Sequence, residues 1–360
     1  MFGAPRPSPL IRTALKNALR SHPIGRWTYT KVRGGYRDLR YARVDGRAVL
    51  NRYARDIPRS VKIELTNICN ADCIFCGYQY ETRAKGTMSP ELFERVLQEY
   101  RAMGGNSISF TPVVGEPLVD PAFVDRVARA REVGFGQVTT YTNGVLLENH
   151  DLPRFLSLGI EALHISMASF DETEYERIFR IRHYDKLMRG LRALLELNGR
   201  QTRPVPIRLE LRSELPFDQI LRQPDYVQQI APLLGDHTKL AYLFDYDNWG
   251  GMIEQSDLRG VMKLAHIPKH KSSPCFRTYS CMVMWNGAVR ACSCRFSFKD
   301  KTDGLLIGDL TDGSLEEIWY GANVTQLRES FLDGSIPEVC KSCAWYVPGD
   351  HGRDHQYLFA

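Results

Sequence analysis

Residues 61–76 read V-K-I-E-L-T-N-I-C-N-A-D-C-I-F-C, a short β-branched run that leads directly into three closely spaced cysteines. The run predicts a buried strand, and Cys69, Cys73 and Cys76 follow it with the spacing C-x3-C-x2-C. Three thiolates in one loop can bind three irons of a four-iron cluster and leave the fourth iron open. A structural zinc site would need four ligands, and no histidine or fourth cysteine lies near in the sequence. The stretch therefore indicates a strand followed by an iron–sulfur loop.

After this first strand the sequence alternates between strand-like and helix-like segments. The strand-like segments are 61–66, 107–113, 137–144, 162–167, 205–212 and 239–247. The helix-like segments between them include 89–104, 121–134, 151–158, 172–197 and 217–234. Such alternation implies a parallel sheet with right-handed crossovers, and six units suit a partial or full barrel better than a flat sheet. We expect an α/β fold with a partial (β/α)6 TIM-type barrel and its chemistry at the C-terminal ends of the strands.

Composition places the chain among globular proteins with metal or redox chemistry. Of its 360 residues, 43% are apolar and 25% charged. No stretch approaches the roughly 20 apolar residues that cross a bilayer, and no secretory signal is recognisable at the N-terminus, so we expect a cytoplasmic protein. The nine cysteines fall within 69–76 and 275–343, with none between. In a reducing compartment such clustering favours metal sites over disulfide bonds.

The net charge of +5 hides an uneven distribution along the chain. Residues 1–60 carry 14 Lys and Arg against 3 Asp and Glu, so residues 61–360 have a net charge of −6. A basic stretch with interleaved aromatic residues can bind nucleic acid, a phosphorylated substrate or an acidic peptide; more often it is a solvated arm or an accessory helix. The expected division of the chain is a basic N-terminal extension, a barrel and a small Cys-rich domain, over 1–60, 61–250 and 251–360.

The cysteine loop closely resembles that of the radical S-adenosylmethionine (SAM) superfamily. The resemblance rests on C-x3-C-x2-C after the first strand of an α/β barrel, with the aromatic Phe75 before the third cysteine. It implies a 4Fe-4S cluster whose open iron chelates the amino and carboxylate groups of SAM. Reductive cleavage of SAM then gives methionine and a 5′-deoxyadenosyl radical, which abstracts a hydrogen atom from the substrate. A flavodoxin- or ferredoxin-type reductant is the partner that this chemistry implies.

Several later positions extend the resemblance to the SAM site. V-V-G-E-P (113–117) resembles the family's Gly-Gly-Glu-Pro motif, with Val114 in place of the first glycine. Glu116 is therefore expected to bind the SAM amino group, and Arg208 or Arg212 on the fifth strand to meet the SAM carboxylate. The SAM-binding residues that the resemblance implies are Phe75, Tyr78, Gly115, Glu116, Asn143, Ser166 and Arg208.

The six C-terminal cysteines resemble those of a SPASM domain or its shorter form, the twitch domain, both of which hold auxiliary iron–sulfur clusters. They are Cys275, Cys281, Cys292, Cys294, Cys340 and Cys343. The spacing best fits one auxiliary 4Fe-4S cluster, with Cys281 as an alternative ligand. The expected ligands are Cys275, Cys292, Cys340 and Cys343. Zinc is the alternative for any set of four cysteines.

Four further residues are candidates for work on the substrate. Cys281 or Cys294, if left over from cluster binding, could donate a hydrogen atom to a substrate radical, although a buried and inert thiol is more common. Asp245 and Asp247, between barrel and extension, could deprotonate or orient a substrate hydroxyl.

The resemblance implies an enzyme that abstracts a hydrogen atom from a carbon of a small polar molecule such as a sugar, aminocyclitol or nucleoside-type natural-product precursor. Oxidation assisted by the auxiliary cluster is the first hypothesis. Epimerisation with a cysteine hydrogen donor, or modification of a peptide, is the alternative. A zinc-dependent nucleic-acid binder and a two-cluster electron carrier are the non-enzymatic hypotheses. The alternating scaffold argues against the zinc-dependent nucleic-acid binder, and the open iron argues against the electron carrier. Nucleic acid is therefore not an expected partner, and neither is a membrane.

Overall fold

The computed structural model describes residues 23–293, 296 and 303–351, with side chains from residue 31 onward. Eleven strands are described: β1 (Val61–Ile63), β2 (Ser107–Phe110), β3 (Gln137–Thr142), β4 (Ala162–Met167), β5 (Ile207–Arg212), β6 (Thr238–Leu243), β7 (Asp245–Tyr246), β8 (Lys263–Leu264), β9 (Cys281–Val283), β10 (Ala288–Arg290) and β11 (Leu306–Asp309). The described α-helices are α1 (Pro23–Tyr41), α2 (Gly46–Tyr53), α3 (Pro90–Ala102), α4 (Phe123–Val133), α5 (Leu152–Ser157), α6 (Glu172–Phe179), α7 (Tyr184–Gly199), α8 (Phe217–Ile220), α9 (Leu315–Tyr320), α10 (Ala322–Asp333) and α11 (Glu338–Lys341).

Strands β1 to β6 lie side by side in chain order, and every neighbouring pair among them is parallel. Helices follow the strands as the alternating sequence predicts, so the α/β fold with six parallel strands is confirmed. The barrel is open, because β1 pairs with β9 on its other side instead of with β6. An open arc of six parallel strands is the partial barrel that the sequence predicts.

The C-terminal part of the chain extends this sheet. Strand β9 pairs in parallel with β1, with Cys281 opposite Val61, and β10 and β11 continue outward as antiparallel neighbours. The nine-stranded order is β11-β10-β9-β1-β2-β3-β4-β5-β6. The domain boundary near residue 250 stays a prediction, and one continuous sheet crosses it.

Local sequence chemistry explains where several elements begin and break. The Ser89 side chain accepts the Leu92 N–H and begins α3, with Pro90 at the first helical position; a short polar cap and an early proline are both typical of helix N-termini. The single helix predicted over 217–234 is wrong. The segment forms α8, a π-helical turn and a 3₁₀ turn, because the prolines at 224 and 232 lack the N–H that a continuous helix needs.

The two faces of β3 to β5 differ in chemistry. One face is apolar, carries residues such as Leu163, Ile165 and Leu209, and belongs to the main buried core shared with α6 and α7. Side chains alternate across a strand, so the opposite, inner face carries the intervening residues, which are largely polar. The sheet therefore has a dry side under the helices and a polar inner side.

The described part of the basic N-terminal segment forms the two helices α1 and α2, followed by a non-helical connection to β1. Val49 and Leu50 of α2 are buried, and Tyr41 at the end of α1 meets the ring of Tyr346 edge-on at 5.8 Å. This part of the segment packs on the C-terminal region as an accessory helix. Residues 1–22 lie outside the described part of the chain.

No described helix combines the length and apolar character that a membrane-spanning helix requires.

Candidate active site and auxiliary centre

The three-cysteine loop is closed at its base by hydrogen bonds between its two ends. Thr66 Oγ1 donates to the Gly86 carbonyl at 2.8 Å, and the Asn67 side chain both donates to Ala84 O (2.8 Å) and accepts from Gly86 N–H (2.9 Å). Buried Glu64 forms an ion pair with Arg83 at 3.0 Å. The two ends of the loop formed by residues 68–82 therefore lie together at the C-terminal end of β1.

Within the loop, Tyr78 holds two of the cysteines in place. Its hydroxyl accepts the Cys69 N–H at 3.0 Å, and its own N–H donates to Cys76 Sγ at 3.5 Å. The Ile74 N–H donates to the Ile178 carbonyl at 3.0 Å and fixes the middle of the loop against α6. Tyr78 thus contacts the cysteines directly, in addition to the adenine role that the sequence resemblance implies for it.

The environment of the three thiols fits an iron–sulfur cluster. Burial raises the pKa of Cys69 and Cys73, and raises that of Cys76 to about 11. For Cys73 the neighbouring thiols raise the pKa further, while Arg212 lowers it. Three thiolates so close together need a cationic partner, which cluster iron supplies. Among the described residues, no three His, Cys, Asp or Glu side chains converge as ligands of a single metal ion do.

Glu116 lies beside this loop, as the sequence predicts. Its carboxylate accepts from Thr142 Oγ1 (2.6 Å), the Asn143 N–H (2.7 Å) and the Leu118 N–H (3.1 Å), and its own N–H donates to the Ile68 carbonyl at 2.9 Å. Burial raises the pKa of Glu116 to about 7, and these hydrogen bonds oppose the rise. A carboxylate offers about four acceptor sites, so room remains for an ammonium group.

Gly115 and Asn143 fit closely against the same loop. Gly115 has a φ of +133°, and a Cβ there would lie 2.5 Å from the Thr66 carbonyl oxygen. The Asn143 side chain donates to Asn70 Oδ1 at 2.7 Å. Val114, where the family motif has glycine, is buried against Met282 of β9, so the departure from the motif makes a contact with the C-terminal part of the sheet.

The inner face of β3 to β5 carries a connected polar group that sequence analysis resolved only in part. Glu210 is fully buried and meets Arg212 Nη2 at 3.0 Å, His164 Nδ1 at 3.2 Å and Arg208 Nε at 3.6 Å. Tyr141 stacks on the His164 ring at 4.0 Å. Polar residues at alternate positions of the fourth and fifth strands were the signal that could have identified this group.

Arg212 is better placed than Arg208 to meet SAM. Its guanidinium lies over the Phe75 ring, 5.3 Å from the ring centre, and lowers the pKa of Cys73 and Cys76. Arg208 lies two inward-facing positions deeper, opposite His164 in the strand register. Ser166 lies opposite Glu210, on the same inner face and at the level between these two rows.

The roles expected for Asp245 and Asp247 stay predictions, and the structure gives both side chains partners outside the polar group of β3 to β5. The predicted strand 239–247 ends at Leu243, and Asp245 in β7 forms an ion pair with Lys263 at 3.7 Å. Asp247 is buried; it accepts the Trp249 N–H at 2.8 Å and the Ala344 N–H at 3.3 Å. It therefore connects the barrel to the C-terminal cysteine loop.

Four of the C-terminal cysteines surround one small cavity, with apolar walls from residues such as Leu305 and Phe331. These are the expected ligands Cys275, Cys292, Cys340 and Cys343. Burial raises the pKa of Cys275 to about 11, and neighbouring Cys343 raises it further. Three buried thiols and the partly buried thiol of Cys340 around an apolar cavity fit a fully ligated cluster.

Cys281 does not line this cavity. It begins β9, opposite Val61 at the N-terminal end of the parallel strands, and burial raises its pKa to about 12. As a hydrogen donor Cys281 would lie far from the radical chemistry, which is expected at the opposite end of the strands. Its assignment as an alternative cluster ligand stays a prediction. Cys294 lies outside the described residues.

Comparison with known proteins agrees with this geometry. Residues 63–211 match the family model of the radical SAM superfamily, and residues 275–344 match that of SPASM, an iron–sulfur cluster-binding domain. The chain therefore carries a radical SAM domain followed by a SPASM domain. The cofactors of these two domains are SAM, a SAM-binding 4Fe-4S cluster and auxiliary iron–sulfur ligation in the SPASM domain.

Curated relatives match about half of the chain or less. The chain is 30% identical over 174 residues to a "Probable GTP 3′,8-cyclase" of Thermoplasma volcanium, covering 48% of this chain and 50% of that protein. A protein of the same name from Methanopyrus kandleri is 28% identical over 180 residues, covering 49% and 54%. The chain thus spans about half the length of the curated relatives it matches.

Solved structures share the fold over most of the chain. BtrN, solved in complex with AdoMet and 2-DOIA, superposes with a TM-score of 0.50 at 19% identity, covering 80% of this chain and 93% of that one. Streptococcus suis SuiB, solved with its precursor peptide SuiA, gives a TM-score of 0.53 at 14% identity, covering 85% and 76%.

Proposed function

We propose that this protein is a radical SAM dehydrogenase that oxidises an alcohol carbon of a small polar substrate of the sugar, aminocyclitol or nucleoside type. The observation that carries the proposal is the polar inner face of β3 to β5, which connects to the cysteine loop through Arg212 and Phe75. When bound, SAM and its cluster supply a hydrogen-abstracting radical, and the auxiliary cluster can take up an electron.

On the SAM side, three residues divide the binding work. Glu116 offers its carboxylate to the SAM ammonium, and Arg212 offers its guanidinium to the SAM carboxylate. Phe75 provides the aromatic surface beside them, held edge-on against Phe179 at 5.5 Å. Because opposite charges lie on two sides of the loop, the amino-acid part of SAM has one favoured orientation.

On the substrate side, His164 is the group that accepts the hydroxyl proton. Its Nδ1 faces the Glu210 carboxylate at 3.2 Å, which favours a proton on Nδ1 and leaves Nε2 as the acceptor. The Tyr141 ring fixes the plane of the imidazole. The His164 side chain is 18% exposed, so it can reach a substrate on the inner face. His164 thus takes the role that the sequence suggested for Asp245 and Asp247.

Four cysteines around the auxiliary cavity support oxidation. A cluster held by four protein thiolates has no iron open for a substrate. Substrate contacts then fall to the barrel, and the auxiliary centre is suited to electron transfer. A flavodoxin- or ferredoxin-type reductant in the cytoplasm would complete the system.

The test is a substrate panel on the anaerobically reconstituted protein, with SAM and a reductant. The panel contains sugars, aminocyclitols and nucleosides, and the readouts are 5′-deoxyadenosine and a product two hydrogens lighter. His164→Gln should lower product formation at least about a hundredfold, the usual share of a general base, while 5′-deoxyadenosine still forms. The matched control is His150→Gln, since His150 contacts the Leu118 carbonyl away from the inner face. Equal activity of both variants would contradict the role of His164, and a product with unchanged oxidation level and one solvent hydrogen would favour epimerisation.

The curated relatives favour a second candidate, cyclisation of a purine nucleotide. Their names describe a probable GTP 3′,8-cyclase, and the match covers 48% of this chain. Arg208 and Arg212 on the inner face would suit phosphate groups. Adding GTP to the panel separates the candidates, because cyclisation gives an isomer of unchanged mass.

Peptide modification is the third candidate, and the +11 charge of residues 1–60 is the observation that favours it. SuiB, which shares the fold, was solved with a precursor peptide. Acidic peptides added to the same assay would reveal this activity by a mass change on the peptide.

A further inference from the structure

Lys271 reaches the auxiliary cysteines from a distant position in the chain. Its Nζ lies 2.6 Å from the Cys340 carbonyl, 2.7 Å from the Lys341 carbonyl and 3.0 Å from the Cys343 carbonyl. These three carbonyls belong to the short turn that carries two of the four cavity cysteines. One side chain therefore closes the turn from outside.

The geometry defines the charge state of this lysine. Three carbonyl acceptors around one nitrogen require three N–H donors, and an ammonium group has three while a neutral amine has two. The Tyr346 ring, which lines the cavity, lies 5.9 Å from Nζ and adds a cation–π contact. A positive charge is thus held beside the backbone of two of the four expected ligands, Cys340 and Cys343.

We propose that Lys271 is a positioning residue that raises the reduction potential of the auxiliary cluster. Reduction adds one negative charge to the cluster, and a cation fixed nearby stabilises the reduced form more than the oxidised form. The claim about the potential rests only on the four-cysteine centre. The functional role of the raised potential, which is to make that centre a better electron acceptor, rests on the proposed oxidation.

The other charged side chains near the auxiliary centre are the same in wild type and in the Lys271 variants. Arg277 lines the same cavity and lowers the pKa of Cys275, and Arg37 lies close enough to lower the pKa of Lys271. Lys341 offers a matched control on the same turn. Its side chain is half exposed and pairs with Glu338 at 2.7 Å, so its charge is balanced and screened by solvent.

The experiment is an EPR-monitored redox titration of the full chain with both clusters reconstituted. Iron and sulfide are measured for each variant, and added SAM identifies the signal of the three-cysteine cluster. In Lys271→Met, the ratio of reduced to oxidised auxiliary cluster at a fixed potential should fall at least about tenfold, because one charge within about 12 Å has this effect at an effective dielectric constant of about 20. Lys341→Met and the three-cysteine cluster should keep the wild-type ratio.

Two further variants separate charge from structure. Lys271→Arg keeps the charge and should keep the wild-type ratio, whereas Lys271→Gln keeps hydrogen-bond donors without charge and should behave like Lys271→Met. Equal midpoint potentials of the auxiliary cluster in Lys271→Arg and Lys271→Gln would overturn the proposal. This comparison decides the proposal even if Lys271→Met loses its iron. Because no substrate is used, a failure of the proposed oxidation would leave this result unaffected.

Discussion

Gly115→Ala tests how closely the Glu116 loop must approach the cysteine loop. At this position φ is +133°, and the new Cβ would lie 2.5 Å from the Thr66 carbonyl oxygen and 3.0 Å from Asn67 Cα. Backbone strain of this kind costs about 1–3 kcal/mol, and overpacking adds about 1–3 kcal/mol. Since backbone atoms on both sides cannot rotate away, we expect a loss of about 4 kcal/mol in unfolding free energy.

The same substitution should release iron from one cluster. Thr66 and Asn67 close the base of the cysteine loop, so a shift there moves the thiols. We expect reconstituted iron to fall from about eight to about four per chain, measured together with urea unfolding.

The matched control is Gly159→Ala. Gly159 has a φ of +62°, and a Cβ added there would have no heavy atom within 4 Å, so only the left-handed backbone penalty of about 1–2 kcal/mol applies. Equal destabilisation of the two variants, with all iron retained in Gly115→Ala, would refute the close-approach explanation.

Three further outcomes are expected. Folding raises the pKa of Glu116 from 4.5 to about 7, so without SAM the folded chain should lose stability as pH rises through this range. Thermal unfolding of Glu116→Gln at pH 5 and pH 8 should no longer show this dependence. The same variant should bind SAM at least about tenfold more weakly. Asp247→Ala removes the hydrogen bonds from the Trp249 and Ala344 N–H groups. It should lower the free energy of unfolding by about 2–3 kcal/mol and lower the iron content of the auxiliary centre. Intact iron with loss of turnover would instead support Asp247 as a substrate base. Cys281→Ala should cost about 1–2 kcal/mol through lost packing and keep about eight irons, and a fall to about four would make Cys281 a ligand.

Local signals predicted much of the fold. The cysteine spacing and the alternation of strands and helices depend on residues near each other in sequence, and the structure has the six parallel strands in the expected order. The single helix predicted over 217–234 was wrong because two prolines interrupt the segment. Pairing of β9 with β1 was not predictable, since it joins residues 220 positions apart.

The same distinction applies to the site. Glu116 and the three-cysteine loop were found because short motifs carry them. His164, Glu210 and Lys271 come together with their partners only through sheet register or long-range packing. For Asp247 the sequence suggested a role toward the substrate, whereas in the structure its side chain accepts hydrogen bonds from backbone N–H groups.

The pairing of β9 with β1 has a consequence for anyone who divides this protein at its apparent boundary. A fragment ending near residue 250 would expose the unpaired backbone edge of β1, the strand that leads into the cysteine loop. Such open edges recruit other chains, so the fragment should be recovered as aggregates. The C-terminal region is therefore part of the wall of the barrel, and cannot be exchanged between relatives as an independent module.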